Sequence, residues 1–467
     1  MLSEDILFFP VTELAKRIHA RQLSPVELAE SYLERSRSIG PKLNAYATLT
    51  PDLALKQAHA AQKEIAVGKY RGPLHGIPYA AKDLLAVKGY PTTWGARPYA
   101  DQRIDSDATV IKKLEAAGAV LLGKAAMVEL AGGMGYRFPS ASATGAAKNP
   151  WNPDYWTCGS SSGSAAITGA GLAAFAIGTE TWGSIICPSG FSGLSGLRPT
   201  YGRVSRAGAM ALSYTMDKIG PITRSADDCD LVLKIISGHD AQDLGSLPEA
   251  SAKYPGAAEP SGRLRVGWLV NQWKELSPEV NQAVMAARQV LEKDSSITLS
   301  NVSLPDGPWE AAAGLIVSVE GATAFRDLIH SGRVAELNDP LGKIGGYMNE
   351  EISASDFILA QRIRAILQVK IDEIFNQVDV LATASLPVTA PKADANLDLE
   401  LTFADPIGGI GNICGLPAIS VPCGFGQHNL PIGIQFIARA LDDAKVVQAA
   451  RIYQRHTDWH QKHPKLA

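Results

Sequence analysis

The residues in this 467-residue chain best suited to chemistry are a group of serines and one lysine. The stretch Thr157 to Pro188, TCGSSSGSAAITGAGLAAFAIGTETWGSIICP, opens with Ser160, Ser161 and Ser162 between two glycines and closes on Thr181-Trp182-Gly183-Ser184. Between Asp154 and Arg198 the only charged residue is Glu180, so the segment is written for burial although it is full of hydroxyls, and buried hydroxyls need partners. Glycine lets backbone N–H groups approach a ligand closely, so serines set among glycines suit a nucleophile and an oxyanion hole. A tightly packed Gly/Ser helix with its turns explains the same composition equally well. Lys82 ends a short apolar run, Ile77 to Ala81, after a Gly/Pro turn that contains His75. Desolvation disfavours an ammonium, and a neutral lysine is a usable base. An isolated lysine more often packs its stem and keeps its head in water, and His75 reads as a structural hydrogen bonder.

The elements that must position these groups alternate between β and α. Val11 to Ala20 reads as a short amphipathic helix, and Ser24-Pro25-Val26-Glu27 is a capping-box start with proline at the first helical position. A third helix follows Thr50, with Pro51 at its start, and runs to about Val67. Ile77 to Ala81 is a strand, Ala108 to Gly118 a helix, and Ala119 to Leu122 a strand ending at Gly123-Lys124. Asp217 to Ile222 is extended and Ser225 opens a helix. Ser237 to Gly262, rich in Gly, Pro, Ala and Ser, reads as a linker. Strands are expected at Leu264 to Val270, Ile297 to Val302, Val378 to Thr383, Gly415 to Pro422 and Pro431 to Ile437, with helices from Ser277, over Ser355 to Phe375, and over Asp442 to Gln454. This predicts an α/β fold, a large mixed sheet covered by helices on both faces. We expect one domain over 1–467, with a core region at 68–236 and a possible variable sub-domain at 263–375.

Composition excludes several classes. With 46% apolar and 19% charged residues, net charge −3 and pI near 6.3, the chain has ample core and no basic footprint for direct nucleic-acid binding. The N-terminus has acids where a signal peptide needs bases, which points to the cytoplasm. Cys158, Cys187, Cys229, Cys414 and Cys423 form no C-x-x-C pair and read as free thiols in a reducing compartment. Ser160 to Gly178 is long and uncharged enough to raise the question of a membrane span, but its glycines and serines leave too little hydrocarbon. His456, His460 and His463 fit a solvated tail better than a metal site, so neither metal nor cofactor is expected.

Lys82 in GPLHGIPYAAKD, Ser160 and Ser184 resemble the Ser-cisSer-Lys triad of the amidase signature family. The likeness continues through GTETWGSIICPSGFSGLSGLRPTYGRVSRAG, DKIGPITRSADDC, GLPAISVP and LPIGIQFIA. It implies that Ser184 is the nucleophile, that Ser160, after a cis peptide, relays protons to Lys82, and that the N–H groups of Thr181, Trp182, Gly183 and Ser184 form the oxyanion hole. Ser161 and Ser162 would be supporting hydrogen bonders. Arg198, Tyr201 and Arg203 would brace the core, as would Asp217. Two departures bear on substrate. Where the family turn reads Gly-Thr-Asp-Thr-Gly-Gly-Ser-Ile-Arg, this chain has Trp182 for a glycine and Ile186 for the arginine. Loss of that cation weakens the case for an acidic substrate. The Trp182 indole either walls the pocket or packs behind the loop, the second being favoured. Ala131 to Ser140, Tyr347 and Ala404 to Asn412 are expected around the pocket. The resemblance implies an amidase for a neutral small-molecule aryl or alkyl amide, anilide or carbamate, as a possible homodimer. The alternative is the glutaminase-like component (the A chain) of a tRNA-dependent amidotransferase.

Overall fold

Short apolar runs of β-branched and small residues pair into one large sheet. The computed structural model describes residues 2–259, 262–270, 276–401, 405 and 407–466. In chain order its strands are β1 (Tyr46–Leu49), β2 (Pro78–Lys82), β3 (Val120–Ala125), β4 (Lys148–Asn149), β5 (Asn152–Trp156), β6 (Phe175–Glu180), β7 (Ser195–Arg198), β8 (Lys218–Thr223), β9 (Leu264–Leu269), β10 (Ile297–Val302), β11 (Val380–Ala384), β12 (Ala418–Phe425) and β13 (Pro431–Ala438). β4 and β5 form a separate hairpin; the other eleven make a mixed sheet in the order β1-β3-β2-β6-β8-β7-β12-β13-β11-β9-β10. The expected large mixed α/β sheet with its helices is therefore present.

Two features of this topology position the site. β3, β2 and β6 are parallel neighbours, with Ala81 opposite Ile177, so the carboxyl ends of β2 and β6 point the same way. Ligands of open α/β sheets gather at such ends. Lys82 is the last residue of β2 and Glu180 the last of β6, just before the Thr181–Ser184 turn. The buried helix Ser162–Gly169 precedes β6, and the helix Ile186–Ser192 follows the turn. No described helix is long and apolar enough to cross a membrane.

Several local expectations are met by their capping chemistry. Ser24, Ser225 and Ser277 each accept an N–H from the residue three positions on, opening helices at Pro25, Ala226 and Pro278. Others need correction. The stretch read as a linker holds a short helix, Glu249–Ala252, and a buried Tyr254 whose hydroxyl donates to Asp230 at 2.5 Å. Its Pro260 and Ser261 lie outside the described residues. The helix Trp309–Ala324 was not anticipated, because its small and apolar residues run all round and give no amphipathic period. Residues 263–375 supply β9 and β10 at the sheet edge, together with this helix and the helix Ala354–Ile374.

Candidate active site

The fold brings Lys82, Ser160 and Ser184 into one hydrogen-bonded line. Lys82 Nζ is 2.7 Å from Ser160 Oγ, and Ser160 Oγ is 2.9 Å from Ser184 Oγ. The Gly159–Ser160 peptide is cis. Lys82 is fully buried and faces hydroxyls and a carbonyl rather than a carboxylate: Ser161 Oγ at 3.0 Å, Thr179 Oγ1 at 2.9 Å and Thr179 O at 3.4 Å also accept from it. Burial pulls its pKa down to about 7, against the weaker opposing charges of Asp217 and Glu180. Ser161 also ties the relay turn to β6, donating to Thr179 O and accepting from Thr179 N. Ser162 is not at this centre. Its carbonyl takes the Thr157 hydroxyl and it begins the helix Ser162–Gly169, so it supports the turn from behind.

The turn that ends on Ser184 is held by a buried charge frame. Glu180 Oε2 accepts the N–H groups of Ile185 and Ile186, at 2.8 and 3.0 Å, and Oε1 pairs with Arg198 at 2.7 Å. Burial alone would raise Glu180, but Arg198, Lys218 and these hydrogen bonds hold it at about 2. Among the described residues, the N–H groups of Thr181, Trp182, Gly183 and Ser184 donate to no protein acceptor. Gly183 turns at φ +81°, which a side chain would resist. Asp217 takes the Thr181 hydroxyl at 2.5 Å and the N–H groups of Leu212 and Ser213, which braces the other side of the turn. Arg203 pairs with Asp443 at 2.9 Å. His75 accepts the Arg71 N–H at 3.1 Å, away from this centre.

The family described as Amidase matches residues 27–447. The chain belongs to the amidase signature family. It is an enzyme acting on C–N amide bonds. It is 35% identical, over 99% of both chains, to the A component of the glutamyl-tRNA(Gln) amidotransferase of Acinetobacter baumannii. Among solved structures it is similar to the peptide amidase of Stenotrophomonas maltophilia, with TM-score 0.84, 29% identity and 96% of each chain covered. It is also similar to the A component of the glutamyl-tRNA(Gln) amidotransferase of Thermotoga maritima, with TM-score 0.80, 28% identity, and 97% of this chain and 96% of that chain covered.

A cavity of about 600 Å³ reaches the two serine turns of this family member at Gly159 and Gly183. Its other walls are Tyr136, Trp182, Glu310, Leu397, Asp398, Leu401, Asp405 and the pair Cys158 and Cys187. Tyr136 and Asp405 fall in stretches expected to contribute. Tyr347 does not reach the cavity; its hydroxyl donates to Ile329 O. Ala404 and Pro406 lie outside the described residues. Trp182 is half-buried and does both things considered for it, lining the cavity and packing on the cluster that includes Ile186 and Trp309. Gly408 makes room for it, since a Cβ there would stand 2.8 Å from the indole Nε1. Ile186, in the arginine's place, is fully buried in that cluster.

The expectation of five free thiols is corrected. Cys158 and Cys187 form a disulfide, with Cα atoms 5.9 Å apart, while Cys229, Cys414 and Cys423 are free and buried. The hairpin-like return of the chain between the two serine turns sets these cysteines side by side, which their sequence separation does not reveal. One wall residue escaped the sequence reading for a similar reason: Glu310 comes from a distant segment that no motif marks, whereas Asp405 falls in the expected stretch Ala404 to Asn412. Asp405 is buried, and its Oδ1 accepts from Gln435 and the Ile407 N–H while Oδ2 has no partner among the described residues. Burial raises its pKa to about 7 despite Arg198. Among the described residues no group of three or more His, Cys, Asp or Glu is placed to hold a metal ion.

Proposed function

We propose that this enzyme hydrolyses a linear carboxamide through an acyl-enzyme on Ser184, with Lys82 as base and Ser160 as relay. The observation that carries this reading is the buried line from Lys82 through Ser160 to Ser184. A serine hydroxyl is a poor nucleophile until a base takes its proton. Neutral Lys82 accepts the Ser160 proton, Ser160 takes that of Ser184, and the Ser184 oxygen bonds to the amide carbon. The carbonyl oxygen becomes an oxyanion facing the free N–H groups at 181–184, each donor worth on the order of 3 kcal/mol. The proton returns through Ser160 to the amide nitrogen, the C–N bond breaks and the amine leaves. Water, deprotonated by the same relay, then attacks the ester, releasing the acid and restoring Ser184.

The cavity supports a substrate with no carboxylate of its own. Its described walls carry Glu310, Asp398 and Asp405 and no cationic side chain. A buried anion would stay unpaired there. The Asp405 oxygen without a partner among the described residues suits a donor, either an N–H or an ammonium on the substrate. Neutral aryl or alkyl amides, anilides included, satisfy these walls.

A second reading, the glutaminase-like component of an amidotransferase, has the stronger support from relatives. The 35% identity to such components spans the whole chain, whereas the peptide amidase is 29% identical. Asp405 would receive the ammonium of glutamine, but the described cavity residues offer no cation for its carboxylate. A hydrolysis screen of p-nitroanilides, primary aliphatic amides, aryl carbamates and glutamine separates the two, using the purified chain and its Ser184→Ala variant. We expect amide turnover by the chain alone, abolished in the variant. Cleavage of glutamine only, and only with partner proteins added, would overturn the first reading in favour of the second.

A further inference from the structure

The disulfide sits where it can govern the relay. Cys158 is next to Gly159, the first residue of the cis peptide, and Cys187 lies in the first turn of the helix that follows Ser184. Each serine turn is otherwise fastened to its own neighbours. The relay turn is held by Thr157 Oγ1 to Ser162 O and by Val128 N to Ser160 O, and Cys187 N donates to Gly183 O within the nucleophile turn. Among the described residues the direct ties across the two turns are the Ser160–Ser184 hydrogen bond and the Cys158–Cys187 bond, of which only the second is covalent.

Cys158 also holds a backbone conformation it would not choose. Its φ is +71°, in the left-handed region that favours glycine. A side chain is kept there by being anchored at its far end. Both cysteines line the cavity that opens on Gly159 and Gly183, so a small dithiol has a route to the bond.

We propose that the Cys158–Cys187 disulfide is a positioning element of the amidase reaction, holding Ser160 in register with Ser184, so that turnover depends on the redox state of this pair. The inference rests on the triad reading given above. In the reducing direction a thiolate of dithiothreitol attacks one cysteine sulfur and forms a mixed disulfide. Its second thiol then closes the reagent's ring. Two electrons and two protons reach the protein, leaving Cys158 and Cys187 as thiols and dithiothreitol as its cyclic disulfide. Released from its anchor, the 158–160 turn relaxes and the Ser160 oxygen moves off Ser184. The cavity walls remain, so the chemical step is lost more than binding.

The test measures kcat and KM on the best amide from the screen above, before and after dithiothreitol, with thiol alkylation and mass spectrometry recording which cysteines are free. Three proteins are compared: the native chain, Cys158→Ser/Cys187→Ser and Cys158→Gly/Cys187→Ser. Full reduction of the native chain is expected to lower kcat by roughly tenfold to a hundredfold, the scale of a displaced catalytic group, with KM changed less than about threefold. The Ser/Ser variant should be as slow as the reduced chain and indifferent to reductant. The Gly/Ser variant should recover most of kcat, because glycine adopts φ +71° without an anchor, and a role confined to global stability would not give that recovery. Unchanged kcat with both thiols shown free, or alkylation of both cysteines in native protein purified without reductant, would overturn the inference. Equal activity of native and Ser184→Ala proteins would instead overturn the triad reading.

Discussion

Two lysines stand side by side at the carboxyl ends of the parallel strands β2 and β3, both without solvent exposure, and they have been given opposite fates. Lys124 is paired with Ala81, one position from Lys82, and its Nζ lies 2.9 Å from the Asp83 carboxylate. Lys82 has hydroxyls and the Thr179 carbonyl around it and, among the described residues, no carboxylate within ion-pair distance. Burial lowers both pKa values, but Asp83 opposes the fall at Lys124, while Lys82 drops to about 7. A counter-ion keeps the first a structural cation. Without one, burial carries the second down to about 7, where the neutral amine the proposed mechanism needs is populated. Burial alone therefore does not make a base; the choice between hydroxyl and carboxylate neighbours does.

Exchanging each lysine for methionine breaks the comparison most sharply. Lys82→Met should lower kcat/KM by about 10³-fold or more, as expected for loss of a general base, while stability changes by no more than about 2 kcal/mol. Lys124→Met should do the reverse. Stranding the buried Asp83 carboxylate should cost about 3–5 kcal/mol, read by denaturant unfolding, with kcat of the folded fraction within about tenfold of the parent. If Lys124→Met lost activity at unchanged stability, the two lysines would have been assigned the wrong way round.

The sequence made one half of this contrast legible and hid the other. Lys82 stood out because it closes an apolar strand inside a motif shared with the family, and Ser160 and Ser184 because glycines frame them. Lys124 was read only as the end of a strand, since pairing with Asp83 depends on the turn after β2. Thr179, the hydroxyl neighbour of Lys82, was equally hidden, because β2–β6 register cannot be read from either strand. The cavity shows the same limit. Trp182 lies in a recognisable motif, whereas Tyr136 and Asp405 come from stretches with no code and Glu310 arrives on a helix with no amphipathic period. The fold was more legible than the pocket because hydrophobic period and capping act locally, while a pocket wall is an agreement between distant segments.

The pH dependence sharpens the contrast at intermediate size. In the proposed mechanism Lys82 acts when neutral, and its lowered pKa favours that form as pH rises. The rate kcat/KM should therefore climb tenfold per unit below about 7 and level off above it. The Lys124 variant should keep this limb and Lys82→Met should lose it from whatever activity remains. A limb near 10 in the native enzyme would show Lys82 to be an ordinary solvated ammonium.

The smallest expected effect probes the hydroxyl cage itself. Thr179 Oγ1 lies 2.9 Å from Lys82 Nζ and helps to stabilise the ammonium by accepting its hydrogen bond. Thr179→Val keeps the shape and removes that acceptor, so the neutral amine gains and the acid limb of kcat/KM should move to lower pH. One hydrogen bond is worth about 0.5–1.5 kcal/mol, which corresponds to a shift of up to about one pH unit. The plateau rate should fall by less than about tenfold, because the Ser160 contact that carries the proton is untouched. An upward shift would mean that the threonine normally donates to the amine, stabilising the neutral base rather than the cation. Hydroxyl neighbours would then tune Lys82 actively rather than merely stand where a carboxylate might have been.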